Sequence, residues 1–332
     1  MTQADTAQKL LERLRAADGE FVSGTDLAEA LGVSRTAVWK QVRSLGQEGY
    51  VVGSHPRRGY RLEAAPDALS AREVTARLAT GWLGKPFQVV DESLSTNRQA
   101  MDDLALGHGA VLAAHRQTGG RGRLGRRWET PAGTIPFSLV LAPTLTPGAA
   151  ALITLTTAVG LAEGIGAVTG WVPDIKWPND LQWQGRKVAG ILTEARTDPD
   201  RITRAVVGVG LNINTDLDGL PEEFRHQAAS VALAVGHRVS PSLLLAGVLE
   251  QLEGVYDLLF EGNGQTVLAR YRERCVTLGR EVTVHGSDGR RVTGVASGVE
   301  EDGALRLDLP DGGVERFHSG DVTLSASGGG GR

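Results

Sequence analysis

The segment from Gln117 to Trp128 alternates glycines with arginines and is the densest candidate for ligand chemistry in the chain. Glycine lets a backbone approach a ligand closely, and guanidinium groups pair with carboxylate or phosphate. Gly120, Gly122 and Gly125 match the dinucleotide fingerprint G-x-G-x-x-G, but that fingerprint opens a helix, whereas this segment runs into Glu-Thr-Pro-Ala-Gly. The segment therefore predicts a mobile anion-binding loop. A plain surface loop and a nucleic-acid-binding arginine–glycine segment are the alternatives.

Two segments that begin with lysine supply further candidates. The Lys-Trp-Pro-Asn-Asp run at 176–180 combines a charge pair, an amide and a proline bend, and the oxygens of Asn179 and Asp180 are of the kind that Mg²⁺ prefers near a triphosphate. Lys187 opens an apolar run that predicts a strand, in which Gly190 allows a ligand to come close. Taken alone, each segment is better explained as an ordinary turn with solvated charges.

A predicted strand at 206–212 and the tripeptide Ser-Thr-Asn at 95–97 complete the set of candidates. Gly208 and Gly210 leave space on one face of the strand, although a packed central strand explains them equally well. The tripeptide follows another predicted strand, a position where such residues commonly cap a helix. The chain has no G-x-x-x-x-G-K-[ST] segment, so any use of ATP relies on a different arrangement for binding phosphate.

The elements that precede these motifs read as a winged helix-turn-helix. Leucines at helical spacing predict a first helix near 7–17. Thr25 is predicted to cap a second helix, and Ser34 to cap a third helix that runs to about residue 45. Two short strands, near 50–52 and 60–62, flank a basic hairpin tip.

This N-terminal part carries a basic face in an acidic chain. Between Ser34 and Arg61 there are six basic residues and one acidic residue, a net charge of +5, whereas the whole chain has a net charge of −4. Positive charge on the third helix and the wing is typical of phosphate binding, and side chains on such a helix reach base edges in the major groove. A protein-docking domain with a solvated basic face is the alternative. The predicted DNA contacts are Ser34, Arg35, Thr36, Lys40, Arg43, Arg57 and Arg58.

The rest of the chain divides into further regions. Small residues and a proline at 65–70 predict a linker, and the alternating helix and strand patterns that follow are typical of a large α/β domain. Later, short strands separated by Ser-Asp-Gly, Glu-Asp-Gly and Asp-Gly-Gly predict a small β-barrel. A glycine-rich end at 326–332 predicts a disordered tail. We therefore expect an α+β multidomain protein with domains at 1–64, 71–272 and 273–325.

Composition narrows the class of protein. The 332 residues are 41% hydrophobic and 22% charged, which fits a soluble globular protein and excludes global disorder. The single cysteine, Cys275, excludes an internal disulfide framework and a cysteine-pair zinc site, and it suits a reducing compartment. The N-terminal residues lack a signal-peptide pattern, so we expect a cytoplasmic location. The uncharged stretch 130–162 contains four prolines, which favours a strand, a turn and a buried helix over a membrane span.

Taken together, these motifs resemble those of the family of bifunctional biotin protein ligases and biotin operon repressors. The resemblance covers nearly the whole chain and implies a winged helix, a catalytic domain of the biotin/lipoate ligase type and a small SH3-like barrel. The glycine–arginine loop and the Lys-Trp-Pro-Asn-Asp run are highly specific together. The motifs that agree in order are Ser-Thr-Asn at 95–97, Gly-Arg-Gly-Arg at 120–123 with Arg126 and Trp128, Lys-Trp-Pro-Asn-Asp at 176–180, Lys-Val-Ala-Gly-Ile-Leu at 187–192 and Gly-Leu-Asn-Ile-Asn at 210–214.

The resemblance implies a reaction in two steps. The carboxylate of biotin attacks the α-phosphate of ATP, which gives biotinyl-5′-adenylate and pyrophosphate. The ε-amine of a lysine on a biotin carboxyl carrier domain then attacks the mixed anhydride. Mg²⁺ is implied as a cofactor that is bound mainly through ATP, with no metal site assigned to the protein. The adenylate is the implied corepressor of a homodimer that binds operator DNA, and no membrane partner is expected.

The resemblance also implies roles for individual residues. Lys187, Arg121 and Arg123 are the implied catalytic residues, because they offset the repulsion between a carboxylate and a phosphate. Hydroxyl and amide groups suit the uncharged ureido ring of biotin, and the ring of Trp128 suits the face of adenine. Biotin is assigned to Ser95, Thr96, Asn97, Gln117, Gly120, Arg121, Gly122, Arg123, Lys187 and Gly190. ATP or the adenylate is assigned to Arg123, Arg126, Trp128, Lys176, Asn179, Asp180, Gly208 and Asn212.

The sequence departs from the family pattern in three places. Leu124 stands where the family commonly has a further arginine, and Leu94 stands where an aspartate is usual. The sequence at 133–137 also differs from the Asn/Gly-Leu-Tyr that is usual there. These departures bear on ligand affinity and loop ordering rather than on the reaction. Two other functions compete. A lipoate ligase shares the catalytic fold but is not expected to have the arginine–glycine loop, and a transcription factor that has lost catalysis is disfavoured by the intact Lys187.

Overall fold

The computed structural model describes residues 3–66, 68–286 and 289–324, and it divides into two compact units between Ala76 and Arg77. The predicted tail at 326–332 lies outside the described residues, as does Asp67 of the predicted linker.

The first unit is a three-helix arrangement followed by an antiparallel hairpin. Leucines on the first helix, at the spacing that the sequence shows, are fully buried together with Val38 and Leu45 of the third helix. The strands pair from Val52 opposite Leu62 to His55 opposite Gly59 at the tip. The elements are α1 (Gln3–Ala16), α2 (Gly24–Leu31), α3 (Arg35–Gln47), β1 (Val51–His55) and β2 (Gly59–Ala64).

Helix caps in this unit correct one prediction. Ser34 caps α3 as expected, since its hydroxyl accepts a hydrogen bond from the backbone N–H of Ala37 at 3.2 Å. The prediction that Thr25 caps α2 is wrong. Ser23 is the capping residue: it has an extended backbone, and its hydroxyl accepts from the N–H of Asp26 at 3.1 Å. Thr25 already lies inside the first turn of the helix.

The second unit is built on a seven-stranded sheet with helices packed against it. The strand order is β3-β4-β5-β9-β8-β7-β6, and only β3 and β4 run parallel. The strands are β3 (Phe87–Ser93), β4 (Val111–Gln117), β5 (Thr134–Leu141), β6 (Asp174–Lys176), β7 (Asp180–Trp183), β8 (Arg186–Thr197) and β9 (Ile202–Asn212). The helices are α4 (Ala71–Arg77, which crosses the boundary between the units), α5 (Thr96–Asp102), α6 (Ala150–Thr169), α7 (Glu222–Arg225), α8 (Val231–Val235), α9 (Pro241–Phe260) and α10 (Gly264–Arg274).

Helix α6 is the uncharged segment that the sequence marks as a buried helix. With its preceding turn it forms a stretch, Pro147–Thr169, that is long and apolar enough to cross a membrane, and 61% of its most apolar window is buried inside the protein. Gly160 and Gly164 let α9 approach closely, because a Cβ atom at either position would press on the backbone of Leu252 or Val248. The apolar character of α6 is therefore explained by its place in the core.

The C-terminal part of this unit is a five-stranded antiparallel sheet with the order β13-β12-β11-β10-β14. Four of its strands match the predicted ones closely, while the last was not anticipated because it is short and directly precedes the glycine-rich end. Closure of the sheet into an SH3-like barrel stays a prediction. The strands are β10 (Glu281–His285), β11 (Arg291–Val299), β12 (Leu305–Asp308), β13 (Val314–Phe317) and β14 (Asp321–Leu324).

Candidate functional site

The predicted ligand residues converge on one cavity in the second unit. Its volume is about 980 Å³, at the upper end of the range for small-molecule sites. Every residue predicted to contact biotin or ATP lines it except Gly120. A Cβ atom at Gly120 would overlap the backbone oxygen of Trp128 and press on the side-chain nitrogen of Gln117, so this glycine serves the close packing of the loop.

The polar end of the cavity is organised by Gln117 and the start of α5. The side-chain oxygen of Gln117 accepts hydrogen bonds from the N–H of Thr96 at 2.7 Å and from its hydroxyl at 3.0 Å. Ser138 of β5 donates to the Thr96 hydroxyl at 2.8 Å. Ser95 caps α5 through the N–H of Arg98. The side-chain oxygen of Gln117 is thereby occupied. The N–H₂ group of the same side chain is left to donate hydrogen bonds to a ligand.

Asn97 is engaged within the protein. Its amide donates to the carbonyl of Leu192 at 3.1 Å and to the carboxylate of Glu194 at 2.9 Å, so both amide hydrogens are used. A Cβ atom at Gly208 would overlap the side-chain oxygen of Asn97. Gly208 is therefore required for the seating of Asn97, which ties α5 to β8, and this geometry favours a positioning role for both residues over contact with a ligand.

Lys187 and Asp180 form an ion pair inside the cavity. The Nζ atom of Lys187 lies 2.7 Å from Oδ1 of Asp180 and 5.3 Å from the centre of the Trp128 ring. Gly190 makes this geometry possible, because a Cβ atom there would press on the end of the Lys187 side chain at 2.8 Å. The lysine is thus held along the strand with its charge directed into the cavity.

Trp128 closes one side of the same space. Its indole lies against the backbone of Gly210 and Gly190, and a Cβ atom at Gly210 would overlap it. The indole Nε1 is buried and has no hydrogen-bond partner among the described residues. Since buried donors normally have a partner, this N–H is a candidate contact for a bound ligand.

Cations surround Asp180 on several sides. Burial lowers the pKa of Lys176, an effect that Asp180 opposes and that the nearby charges of Lys187 and Arg126 reinforce. Burial likewise lowers the pKa of Arg123, again with Asp180 opposing it. Partly buried positive charges that outnumber the local carboxylate favour the binding of an anion.

The glycine–arginine loop is held at two points. Arg123 donates to the side-chain oxygen of Asn179 at 3.2 Å, while the Asn179 amide donates to the carbonyl of Ile191 at 2.8 Å. Arg126 forms an ion pair with Asp321 of β14. Between these contacts Leu124 is exposed and has a left-handed backbone, with φ of 55°. The loop is thereby attached both to the seven-stranded sheet, through Asn179 and Ile191, and to the C-terminal sheet.

Asn212 lines the cavity, and its side chain is also hydrogen-bonded within the protein. Its amide donates to the carbonyl of Ala229 at 3.1 Å, and its side-chain oxygen accepts from the hydroxyl of Thr134 at 3.1 Å. These bonds tie β9 to β5 and to the segment that follows β9. Among the described residues, no group of three or more His, Cys, Asp or Glu side chains could hold a metal ion.

Sequence reasoning missed several parts of the cavity. Ser138 and Glu194 support the polar end, yet neither lies in a recognisable motif. The segment 220–228 lines the cavity and Asp321–Thr323 contribute from the C-terminal sheet. No local sequence signal marks these residues, because they enter the site through long-range packing.

The predicted DNA contacts lie on the first unit. Arg35, Thr36, Lys40 and Arg43 are exposed along α3, which Ser34 caps. Arg57 and Arg58 are exposed at the tip of the hairpin. Two wing arginines are oriented by Phe21, since the guanidinium carbons of Arg58 and Arg61 lie 4.5 Å and 4.7 Å from the centre of its ring.

Comparison with known proteins gives three family matches along the chain. Residues 6–61 match an HTH domain, residues 89–212 match the biotin/lipoate A/B protein ligase family, and residues 277–325 match the biotin protein ligase C-terminal domain.

Individual relatives match over most of the chain. The bifunctional ligase/repressor BirA of Bacillus spizizenii is 32% identical over 95% of this chain and 97% of its own length. The protein of the same name from Escherichia coli K12 is 30% identical over 94% and 95%. Among solved structures, the biotin protein ligase from Aquifex aeolicus in complex with biotin and ATP has a TM-score of 0.62 and 27% identity, covering 72% of this chain and 98% of that one.

Proposed function

The chain belongs to the family of bifunctional biotin ligases and biotin operon repressors, and from that premise we propose how its residues divide the work. The protein is an ATP-dependent biotin protein ligase, and its helix-turn-helix domain makes it a DNA-binding repressor. One observation carries the assignment of the site. The loop arginines meet Lys187 and the polar residues of the Lys-Trp-Pro-Asn-Asp run in one cavity, although the loop is distant from both in sequence.

We assign the first chemical step to the cation cluster around Asp180. The carboxylate of biotin attacks the α-phosphate of ATP, a bond forms between them, and pyrophosphate leaves. The two reacting groups are both anions, so the barrier is lowered by positive charge held in a fixed position. Lys187 is supported in this role by its ion pair with Asp180, which holds the ammonium group in the cavity before a ligand arrives.

We divide the cavity into two subsites. The biotin end comprises the start of α5 and Gln117, where a free amide suits the ureido ring. The nucleotide end is the part of the cavity that is lined by the polar residues of the Lys-Trp-Pro-Asn-Asp run and by the loop arginines. Trp128 lies between them, against Gly190 and Gly210, with an unpaired N–H. Gly208, Asn97 and Asn212 act in positioning these elements rather than in contacting the ligand.

Mg²⁺ is proposed to enter with the triphosphate. Asn179 and Asp180 line the nucleotide end, and their side-chain oxygens fit a supporting role for the ion. Both residues already have partners, Arg123 and Lys187, so they provide a partial set of ligands that the phosphate oxygens would complete. The bound ion supplies neutralisation of charge on the triphosphate.

The second step transfers biotin to the carrier. The uncharged ε-amine of a lysine on a biotin carboxyl carrier domain attacks the acyl carbonyl of the adenylate, and AMP leaves as the acyl–oxygen bond breaks. Closing the loop over the adenylate excludes water, which would otherwise hydrolyse it. The anchoring of the loop by Arg123 and Arg126 supports such a closed form.

We propose that biotinyl-5′-adenylate is also the corepressor and acts by favouring a homodimer. From Leu192 to Thr197, β8 pairs only with β9 in the described part of the sheet, so its outer edge is available to a second copy. One DNA-binding domain makes few phosphate contacts, and two linked copies raise the effective concentration of the second. The adenylate shifts this equilibrium only if it prefers the dimer. A cytoplasmic location is proposed with this role.

The activity is tested by mass spectrometry of a carrier domain after incubation with the protein, ATP and Mg²⁺. Parallel reactions contain biotin, lipoate or neither. We expect the mass of one biotinyl group on a single lysine in the biotin reaction only. A lipoyl adduct, or no adduct with biotin, would contradict the assignment.

A further inference from the structure

Trp39 is an unusual side chain on the DNA-binding unit. It lies on α3 and is 46% exposed, whereas Val38 and Leu45 of the same helix are completely buried in the core. An exposed indole presents a large, rigid apolar surface with a polar N–H, which suits contact with a binding partner. Trp39 belongs neither to the buried core of this unit nor to the partly buried hydrophobic residues packed against that core.

The neighbours of Trp39 identify the kind of molecule that covers it. Arg35, Trp39 and Arg43 are spaced four residues apart, so they form one stripe along the exposed face of α3. The guanidinium carbon of Arg43 lies 5.0 Å from the centre of the Trp39 ring. This face also carries Lys40, and the charge between residues 34 and 61 is +5. A surface of that sign attracts an anionic partner and repels a second copy of itself.

We infer that Trp39 reads thymine in the major groove. This inference rests on the DNA-binding function proposed above. The recognition helix of a helix-turn-helix domain lies in that groove, where the C5-methyl group of thymine is the apolar feature among the base edges. The indole covers this methyl group while the arginines on either side hold the helix to the phosphate backbone. Trp39 thus supplies sequence selectivity, and the surrounding cations supply affinity for any DNA.

The test compares duplexes that differ by one methyl group. Full-length protein with biotin, ATP and Mg²⁺ is used to enrich duplexes from a random pool, and each thymine of an enriched duplex is then replaced in turn by uracil. We expect at least one replacement to weaken wild-type binding about tenfold, within the cost of one altered base pair. The same replacement should leave Trp39→Ala unaffected, since the partner of the methyl group is already absent.

Two controls separate this effect from others. Val51→Ala removes a similarly exposed apolar side chain from β1 and should bind like the wild type. Lys40→Ala should weaken binding to all sequences and reduce the salt slope by about one, whereas Trp39→Ala should leave the slope unchanged. Thermal unfolding and ligase activity of Trp39→Ala should match the wild type, because the side chain is outside the core and the cavity.

The outcomes distinguish the inference from the function on which it rests. If the wild type enriches no sequence, DNA recognition itself fails and the inference fails with it. If the wild type enriches a sequence that Trp39→Ala binds equally well, only the inference is wrong. It is also wrong if Trp39→Ala alters dimerisation in sedimentation while responding to uracil as the wild type does, because the indole would then contact a second copy.

Discussion

The protein uses positive charge in two different ways, on the surface of α3 and inside the catalytic cavity. Arg35, Lys40 and Arg43 are exposed, and no ion pair joins them to another described residue. In the cavity, Lys187 is paired with Asp180, and burial lowers the pKa of the neighbouring Lys176. The first set faces solvent, and the second is confined around a carboxylate.

This difference indicates what each set of cations can do. Exposed charges interact through water, so they attract a polyanion with a strength that depends on salt and position it with little chemical discrimination. Confined charges act at low dielectric and in fixed positions, so they can stabilise charge that develops in a reaction. Loss of one confined cation should therefore have a larger effect than loss of one exposed cation.

The largest effect is expected for Lys187→Ala. The substitution removes the cation that we propose to lie between the two converging anions, and it removes the ion-pair partner of Asp180 in the cavity. We expect adenylate formation, measured as pyrophosphate release, to fall by about 10²–10³, the usual cost of one such stabilising contact. Arg186→Ala is the matched control, because Arg186 is the adjacent residue and its guanidinium lies over Trp183 instead. Pyrophosphate release near the wild-type rate in Lys187→Ala would refute the catalytic assignment.

A smaller and salt-dependent loss is expected for the exposed set. The double variant Arg35→Ala, Arg43→Ala should weaken binding of an operator fragment and reduce the salt slope by about two, since each arginine is proposed to make one phosphate contact. Adding biotin and ATP should strengthen wild-type binding. Arg306→Ala, which removes an exposed arginine from β12, should change neither quantity. Wild-type affinity that is insensitive to biotin and ATP would count against the corepressor proposal.

The same comparison shows what the sequence could predict. Helical spacing was enough to predict which face of α3 is exposed. Val38 and Leu45 lie on the buried face, and the residues on the opposite face of the helix are exposed. The gathering of the cavity residues was anticipated through motifs. Their individual roles were harder to assign, since Asn97 and Asn212 look like ligand contacts in sequence and are engaged with the protein in the structure.

Other features could not be predicted from the sequence, for physical reasons. Ser23 and Thr25 are both capping residue types, and the choice between them depends on where the backbone turns from extended to helical. β14 is short and finds its place only by pairing with β10, a contact that is distant in sequence. Asp321 reaches the cavity on that strand, so its contact with the loop could not be inferred locally.

Gly208→Ala tests the positioning role at an intermediate size of effect. The added Cβ atom would overlap the oxygen of Asn97 and push it from its bonds to β8. We expect a loss of stability of about 1–3 kcal/mol, as for other overpacked cores, together with a raised KM for biotin. Gly298→Ala is the matched control, because it is also a strand glycine but has open space around it. Unchanged stability and KM in Gly208→Ala would show that Asn97 is not held in this way.

Ordering of the loop should be visible by limited proteolysis. The loop arginines at 121, 123, 126 and 127 carry like charges, which the ion pairs of Arg126 with Asp321 and of Arg127 with Glu129 offset only in part until an anion binds. We expect cleavage after these arginines to slow sharply once biotin and ATP are added, relative to cleavage elsewhere in the chain. Equal rates with and without the ligands would contradict the prediction of a loop that is ordered by the adenylate.

The smallest effect is expected at Asp321, which forms an exposed ion pair with an arginine of the cavity loop. Its ion pair with Arg126 is largely exposed, with 66% and 39% of the arginine and aspartate side chains accessible. Exposed pairs contribute roughly 0–1 kcal/mol. A triphosphate must compete with Asp321 for Arg126, and the carboxylate also repels it. Asp321→Asn should therefore lower the KM for ATP by up to about fivefold, with kcat unchanged, and the difference should shrink as salt is added. A raised KM would mean instead that Asp321 holds Arg126 in the position that ATP requires.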